Sequence, residues 1–250
     1  MPQLTIKTVA CGREYSQEEL SEIYIQRAYY TLHEMQKLGA VLLDERSKEL
    51  SESGIDALAP EKVREVLLSN KLRIGKKELN RLYDRQYRQA DEMWRGILAA
   101  SDGDYSRKVA RAHLIVTGLN GRKLCRILGS ALRMKKFLLS MNPDHIDASM
   151  TTVTEIMGMY GMPTEMKGTL KAEAPEPVDE AHSLRLIGAS FLTRDPTLKN
   201  AVAMHQVRRF KGGLDILAGA YFPSAAPQEL VDGHSIHMAI EFSNAFGCAL

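Results

Sequence analysis

Residues 105–143 read YSRKVARAHLIVTGLNGRKLCRILGSALRMKKFLLSMNP, and the reading of this stretch decides the fold. It holds nine basic side chains and no Asp or Glu. Residues 105–117 and 122–140 read as two helices joined by the turn Gly118-Leu119-Asn120-Gly121. At the helical repeat, Arg122, Arg126, Arg133 and Lys136 fall within about 80° of one another on the second helix. Leu124, Ile127, Leu128, Leu132, Leu138 and Leu139 lie on the opposite side, as a buried stripe would. Phe137 falls among the arginines. Guanidinium groups with an interleaved ring suit a single-stranded nucleic acid, where Arg holds phosphate and the ring stacks on a base. Residues 144–184 reverse the sign, with eight carboxylates against Lys167 and Lys171. The near-zero net charge of +2 hides this division.

Working outward, the remaining segments also read as helices, and the expected class is all-α. Ser16-Gln17-Glu18-Glu19 is a capping box that should open a helix ending at Gly39. A second helix is expected over 40–51. Ala59-Pro60-Glu61 opens another, because Pro suits the first helical position. A basic connector carrying Lys71, Arg73, Lys76 and Lys77 leads into a long helix over 76–100. Past Pro143, helices are expected over 144–160, 178–193 and 196–211; residues 214–222 could be helix or strand. Residues 228–246 would form a detached amphipathic helix behind the Pro223–Pro227 hinge. The chain has 250 residues, 44% of them hydrophobic, which suffices for a sizeable core in one domain or two lobes. No apolar run reaches the roughly 18 residues of a membrane span, and the N-terminus lacks a signal-peptide core. Cys11, Cys125 and Cys248 are few and scattered, which fits a reducing, cytoplasmic location.

Catalytic signals are sparse. The sequence has no glycine-rich phosphate loop, nucleophile elbow or H-E-x-x-H. His234-Ser-Ile-His237 and His145-Ile-Asp147 have spacings that could bring two metal ligands together, yet neither shows a third ligand at a recognisable offset. Carboxylates are plentiful after residue 143, with no reason in the sequence to pair any two. The expectation is therefore a non-enzymatic protein without metal or cofactor.

Three short stretches resemble the nucleocapsid proteins of segmented negative-strand RNA viruses, the tospovirus and orthobunyavirus group. They are Glu155-Ile-Met-Gly-Met-Tyr-Gly-Met-Pro163 with Ala181-His-Ser-Leu-Arg-Leu-Ile-Gly188, Arg122-Lys-Leu-Cys-Arg-Ile-Leu128, and Ile240-Glu-Phe-Ser-Asn-Ala-Phe-Gly247. The resemblance implies two helical lobes with a basic RNA groove between them and terminal arms that dock on neighbouring copies. The divisions would be 1–30 (arm and first helix), 31–143 (N-terminal lobe), 144–227 (C-terminal lobe) and 228–250 (C-terminal arm). It implies sequence-independent binding and encapsidation of single-stranded RNA, in a host cytoplasm and virion. The RNA-contacting candidates are Arg73, Lys77, Arg107, Lys108, Arg111, Arg122, Lys123, Arg126, Arg133, Lys136 and Phe137. Ile236, Ile240, Phe242 and Phe246 are the candidates for oligomerisation. Two alternatives stay open: a helix-turn-helix DNA-binding regulator built on 105–140, and a self-assembling scaffold whose acidic and basic blocks pair between copies.

Overall fold

The computed structural model describes residues 3–119, 129, 131–160 and 162–247. Its centre is one antiparallel sheet of nine strands, which overturns the all-α expectation and its helical lobes. In chain order the strands are β1 (Thr5–Ala10), β2 (Arg13–Tyr15), β3 (Lys108–Thr117), β4 (His145–Ala148), β5 (Thr152–Glu155), β6 (Thr164–Thr169), β7 (Leu184–Leu192), β8 (Lys199–Phe210) and β9 (Gly213–Phe222). They lie side by side as β2-β1-β3-β9-β8-β7-β6-β5-β4. The helices are α1 (Gln17–Lys37), α2 (Glu52–Asp56), α3 (Pro60–Ala99), α4 (Ala131–Met141) and α5 (Gln228–Gly247).

The decisive stretch contains the clearest correction. Residues 108–117 are a strand, and the alternation that makes them one is visible in retrospect. Ala110, Ala112, Leu114 and Val116 are buried on the inner face, while Arg111 points outward to solvent. Period-two patterning with β-branched Val109, Ile115, Val116 and Thr117 outweighs the helix reading. The same holds after Pro143, where β4, β5, β7 and β8 replace three expected helices. The helix expected over 40–51 is absent; an isolated bridge joins Leu43 to Glu49. Residues 122–128 lie outside the described residues, so only α4 stands for the second basic helix.

Other local signals hold. Ser16 Oγ accepts from the Glu19 amide at 3.1 Å, and Glu19 Oε2 accepts from the Ser16 amide at 2.8 Å. Gly39 follows α1 with φ of 88°, a left-handed conformation that glycine adopts without a Cβ clash. Pro60 opens α3, which is interrupted at Gly75 (φ 73°, ψ 165°).

α5 is no detached arm. It packs along the inner face against β1, β3 and β9, with α1 and α4 beside it. Leu230, Val231, Met238, Ala239, Ile240 and Phe246 are all buried in the main core. Of the four residues expected to dock on a neighbouring copy, Ile240 and Phe246 are buried and Ile236 and Phe242 pack against the core. A helix apolar on nearly every side is a core helix rather than an amphipathic one. α3 reaches the sheet at β4 and β6, where Trp94 Nε1 donates to Thr164 Oγ1 at 2.9 Å and its ring stacks on Phe222. Among the described residues, no helix is long and apolar enough to cross a membrane.

Candidate functional site

The inner face of β6–β9 carries small residues where large ones would meet α5: Gly168, Gly188, Ser190, Ala201, Ala203 and Ala220. The space they leave is a cavity of about 730 Å³ between the sheet and α5. Val153, Met157, Met166 and Met238 make its walls largely apolar. Met150, Leu170 and Leu186 also line it, and they are 73%, 76% and 47% exposed, an unusual position for large apolar side chains. Glu155, Glu241, His234, His205 and Lys171 add titratable groups to its lining.

Behind Glu155 and Glu241 lies a buried cluster completed by His145 and His237. Strand register and helix periodicity assemble it. His145 and Glu155 are direct cross-strand partners on β4 and β5, which places them on one face. His237 and Glu241 are four apart on α5, one turn along the same side. His145 Nε2 lies 3.3 Å from Glu155 Oε2, 3.3 Å from His237 Nε2 and 4.0 Å from Glu241 Oε1. His237 Nε2 is 3.8 Å from Glu155 Oε2 and 4.0 Å from Glu241 Oε2. His145 Nδ1 donates to the Leu138 carbonyl at 2.7 Å, which fixes the ring and aims Nε2 at the other three groups.

The turn that delivers His145 is clamped from several elements. Arg27 Nη2 holds Asp144 Oδ1 at 2.6 Å, and buried Lys71 donates to the Pro143 and His145 carbonyls at 2.7 Å each. Asn142 Nδ2 donates to the His237 carbonyl at 3.2 Å and so ties this turn to α5. On the other side α5 is seated by two glycines in close approach. A Cβ on Gly233 would lie 1.8 Å from the Gly158 carbonyl oxygen, and one on Gly158 would lie 2.2 Å from that of Leu230.

Electrostatics divide the cluster. Burial raises the Glu241 carboxyl to about 7 despite the opposing pull of His145. Burial also drives His237 well below its ordinary value. For His145 burial acts downward, but its hydrogen bond to Glu155 and the charges of Glu241 and Glu155 outweigh that and raise it to about 9. Glu155 is pushed up by burial and pulled down further by the same bond, ending near 2. The arrangement therefore offers imidazole nitrogens and carboxylate oxygens for holding a proton or a cation beside an apolar cavity.

Of the two short spacings noted in the sequence, each contributes one histidine to the cluster. His145 and His237 meet across 92 positions of sequence. Asp147 does not join them; it pairs with Lys135 at 2.6 Å. Glu155, Glu241 and His205 were not singled out, since only the register of β4 with β5 and the seating of α5 give them a role. Comparison with protein-family models, curated proteins and solved structures finds no match.

The described basic candidates are spread over β3, α3, α4 and the residue before β3, and two of them meet acids. Arg107 pairs with Asp102 and Asp104, and Arg111 with Glu176. Lys108 Nζ donates to Gln228 at 3.1 Å, and Arg73 to Asn70 at 2.9 Å and to the Val41 carbonyl. Lys77, Arg133 and Lys136 are exposed. Arg122, Lys123 and Arg126 lie outside the described residues. Phe137 corrects the sequence reading: it is 8% exposed and packs on Met141 and Ala245 instead of facing solvent among the arginines.

Proposed function

We propose that this protein binds a small molecule with an apolar body and a polar end, in the cavity between the sheet and α5. The observation that carries this reading is the cavity itself. Its volume lies within the range of small-molecule sites, its walls are mostly apolar, and a few polar groups, Glu155, Glu241, His234 and Lys171 among them, line it. Exposed Met150, Leu170 and Leu186 give an apolar ligand a favourable contact on entry. The polar end would meet Glu155, Glu241 and His234. Titration of the full-length protein with an environment-sensitive apolar dye, followed by displacement with fatty acids and aromatic acids, tests it. Ala203→Phe fills the cavity and should weaken dye binding at least tenfold while leaving the melting temperature near that of the parent. Unchanged dye affinity in a folded Ala203→Phe variant would overturn the reading.

A second reading, single-stranded RNA binding with self-assembly, is supported by exposed Arg133 and Lys136 on α4 and the basic residues 122, 123 and 126 that precede it. Its affinity would come from phosphate neutralisation and would fall steeply with salt. An RNA gel shift lost in Arg133→Ala/Lys136→Ala but kept in Ala203→Phe would favour it over the cavity.

A further inference from the structure

We infer that His145, His237, Glu155 and Glu241 bind one divalent ion of the first transition row, between the β4–β5 strand pair and α5. The donor set comes first. Two imidazole nitrogens and carboxylate oxygens suit zinc, iron, cobalt or manganese, and lack the thiolates that select softer ions. His145, His237 and Glu241 each offer one ligand atom, and these atoms lie within 4.8 Å of one another. Glu155 Oε2 stands 3.3 and 3.8 Å from the two histidine nitrogens, so a second carboxylate faces the same point.

The spacing supports the inference. Tetrahedral bonds near 2.1 Å set ligand atoms about 3.4 Å apart. The measured separations are 3.3, 3.3, 3.8, 4.0 and 4.0 Å, the longest two involving Glu241. Three of these separations lie within about half an ångström of that value, and the two to Glu241 exceed it slightly more. Of the two histidines, His145 has the second hydrogen bond that orients a metal-bound imidazole. His145 Nδ1–H donates to the Leu138 carbonyl, which leaves Nε2 as the ligating atom. The His237 backbone is tied to Asn142, so the two histidine-bearing segments keep their spacing without an ion.

Charge gives a further reason. With both buried imidazoles neutral, two carboxylates balance a dication, so the ion would take the place of the proton that His145 otherwise shares with Glu155. Glu155 and Glu241 also line the cavity, so an ion held by them faces the space where a ligand's polar end or a water would arrive. The site goes beyond the small-molecule reading and does not depend on it.

The test uses untagged full-length protein, stripped with a chelator, dialysed and titrated with Co²⁺ while visible absorption is followed. One equivalent should bind at micromolar protein, with d–d bands of a nitrogen- and oxygen-ligated ion that vanish on addition of Zn²⁺. Removing His145 would leave Glu155 buried and unpaired, so the informative variants are Glu241→Gln and His237→Asn, which keep size and polarity. Each should weaken Co²⁺ binding at least tenfold with the parent circular dichroism spectrum. Absence of stoichiometric binding by the folded parent, or undiminished binding in both variants, would overturn the inference. Ala203→Phe should leave the Co²⁺ titration unchanged, which separates failure of the ion site from failure of the cavity reading.

Discussion

His205 sits on β8 in an edge-on contact with Phe242, its Nδ1 enclosed without a hydrogen-bond partner among the described residues. Burial, helped by the neighbouring His234, lowers its pKa to about 4. A histidine whose folded pKa lies below its unfolded value, about 6.5, takes its proton more readily when the chain unfolds. The stability this gives is complete above pH 6.5 and is lost as pH falls towards 4. The expected slope from this residue is at most about 1.4 kcal/mol per pH unit in that window. Urea unfolding of the parent and of His205→Leu between pH 4 and 7 measures it: the variant should have the shallower dependence. Parallel curves would mean that His205 keeps an ordinary pKa in the fold. The same residue shows why the site escaped the sequence. An isolated histidine signals nothing until β8 is known to be a strand and Ala201, Ala203 and His205 are known to face the cavity.

At the scale of elements, the glycines of α5 and α3 make a paired test of where backbone approaches backbone. Gly233 on α5 and Gly158 in the 3-10 turn Met157–Met159 touch so closely that a Cβ on Gly233 would lie 1.8 Å from the Gly158 carbonyl oxygen. Gly233→Ala must push α5 away from that turn, and overpacking of this kind costs about 1–3 kcal/mol. Gly96, in the last stretch of α3, would meet nothing within 4 Å. Gly96→Ala should therefore stabilise by about 0.5–1 kcal/mol, because alanine loses less conformational freedom on entering a helix. Thermal melts should move in opposite directions for the two substitutions. Similar shifts would show that α5 is seated by its side chains alone, without this contact.

Over the whole molecule, β3 and β9 pair along their full length, from Lys108 with Phe222 to Thr117 with Gly213. The pairing crosses the change of charge near Pro143, so residues from both sides of it build one sheet and one main core. Fragments 1–143 and 144–250 should each lack a native spectrum. In the first β3 loses β9, and in the second α5 loses β1 and β3. Proton NMR of the separate and mixed fragments checks this; dispersed spectra from either alone would show that it holds its own core. The charge blocks also change meaning at this scale. A run of bases without acids in sequence meets Asp102, Asp104, Asp147 and Glu176 in space.

What the sequence determined by itself was set by interactions within about four residues. The Ser16–Glu19 capping box opens α1, Gly39 ends it and Pro60 opens α3, because caps and fixed φ angles act on their own neighbourhood. Tertiary structure decided the rest. Residues 108–117 carry a period-two, β-branched pattern, and pairing with β1 and β9 on either side gives that pattern a sheet to belong to. Whether α5 lay inside the core or hung outside it depended on an inner sheet face that no local pattern announces. The cluster arises last, because His145 reaches Glu155 through strand register and His237 through the seating of α5, and both are long-range facts.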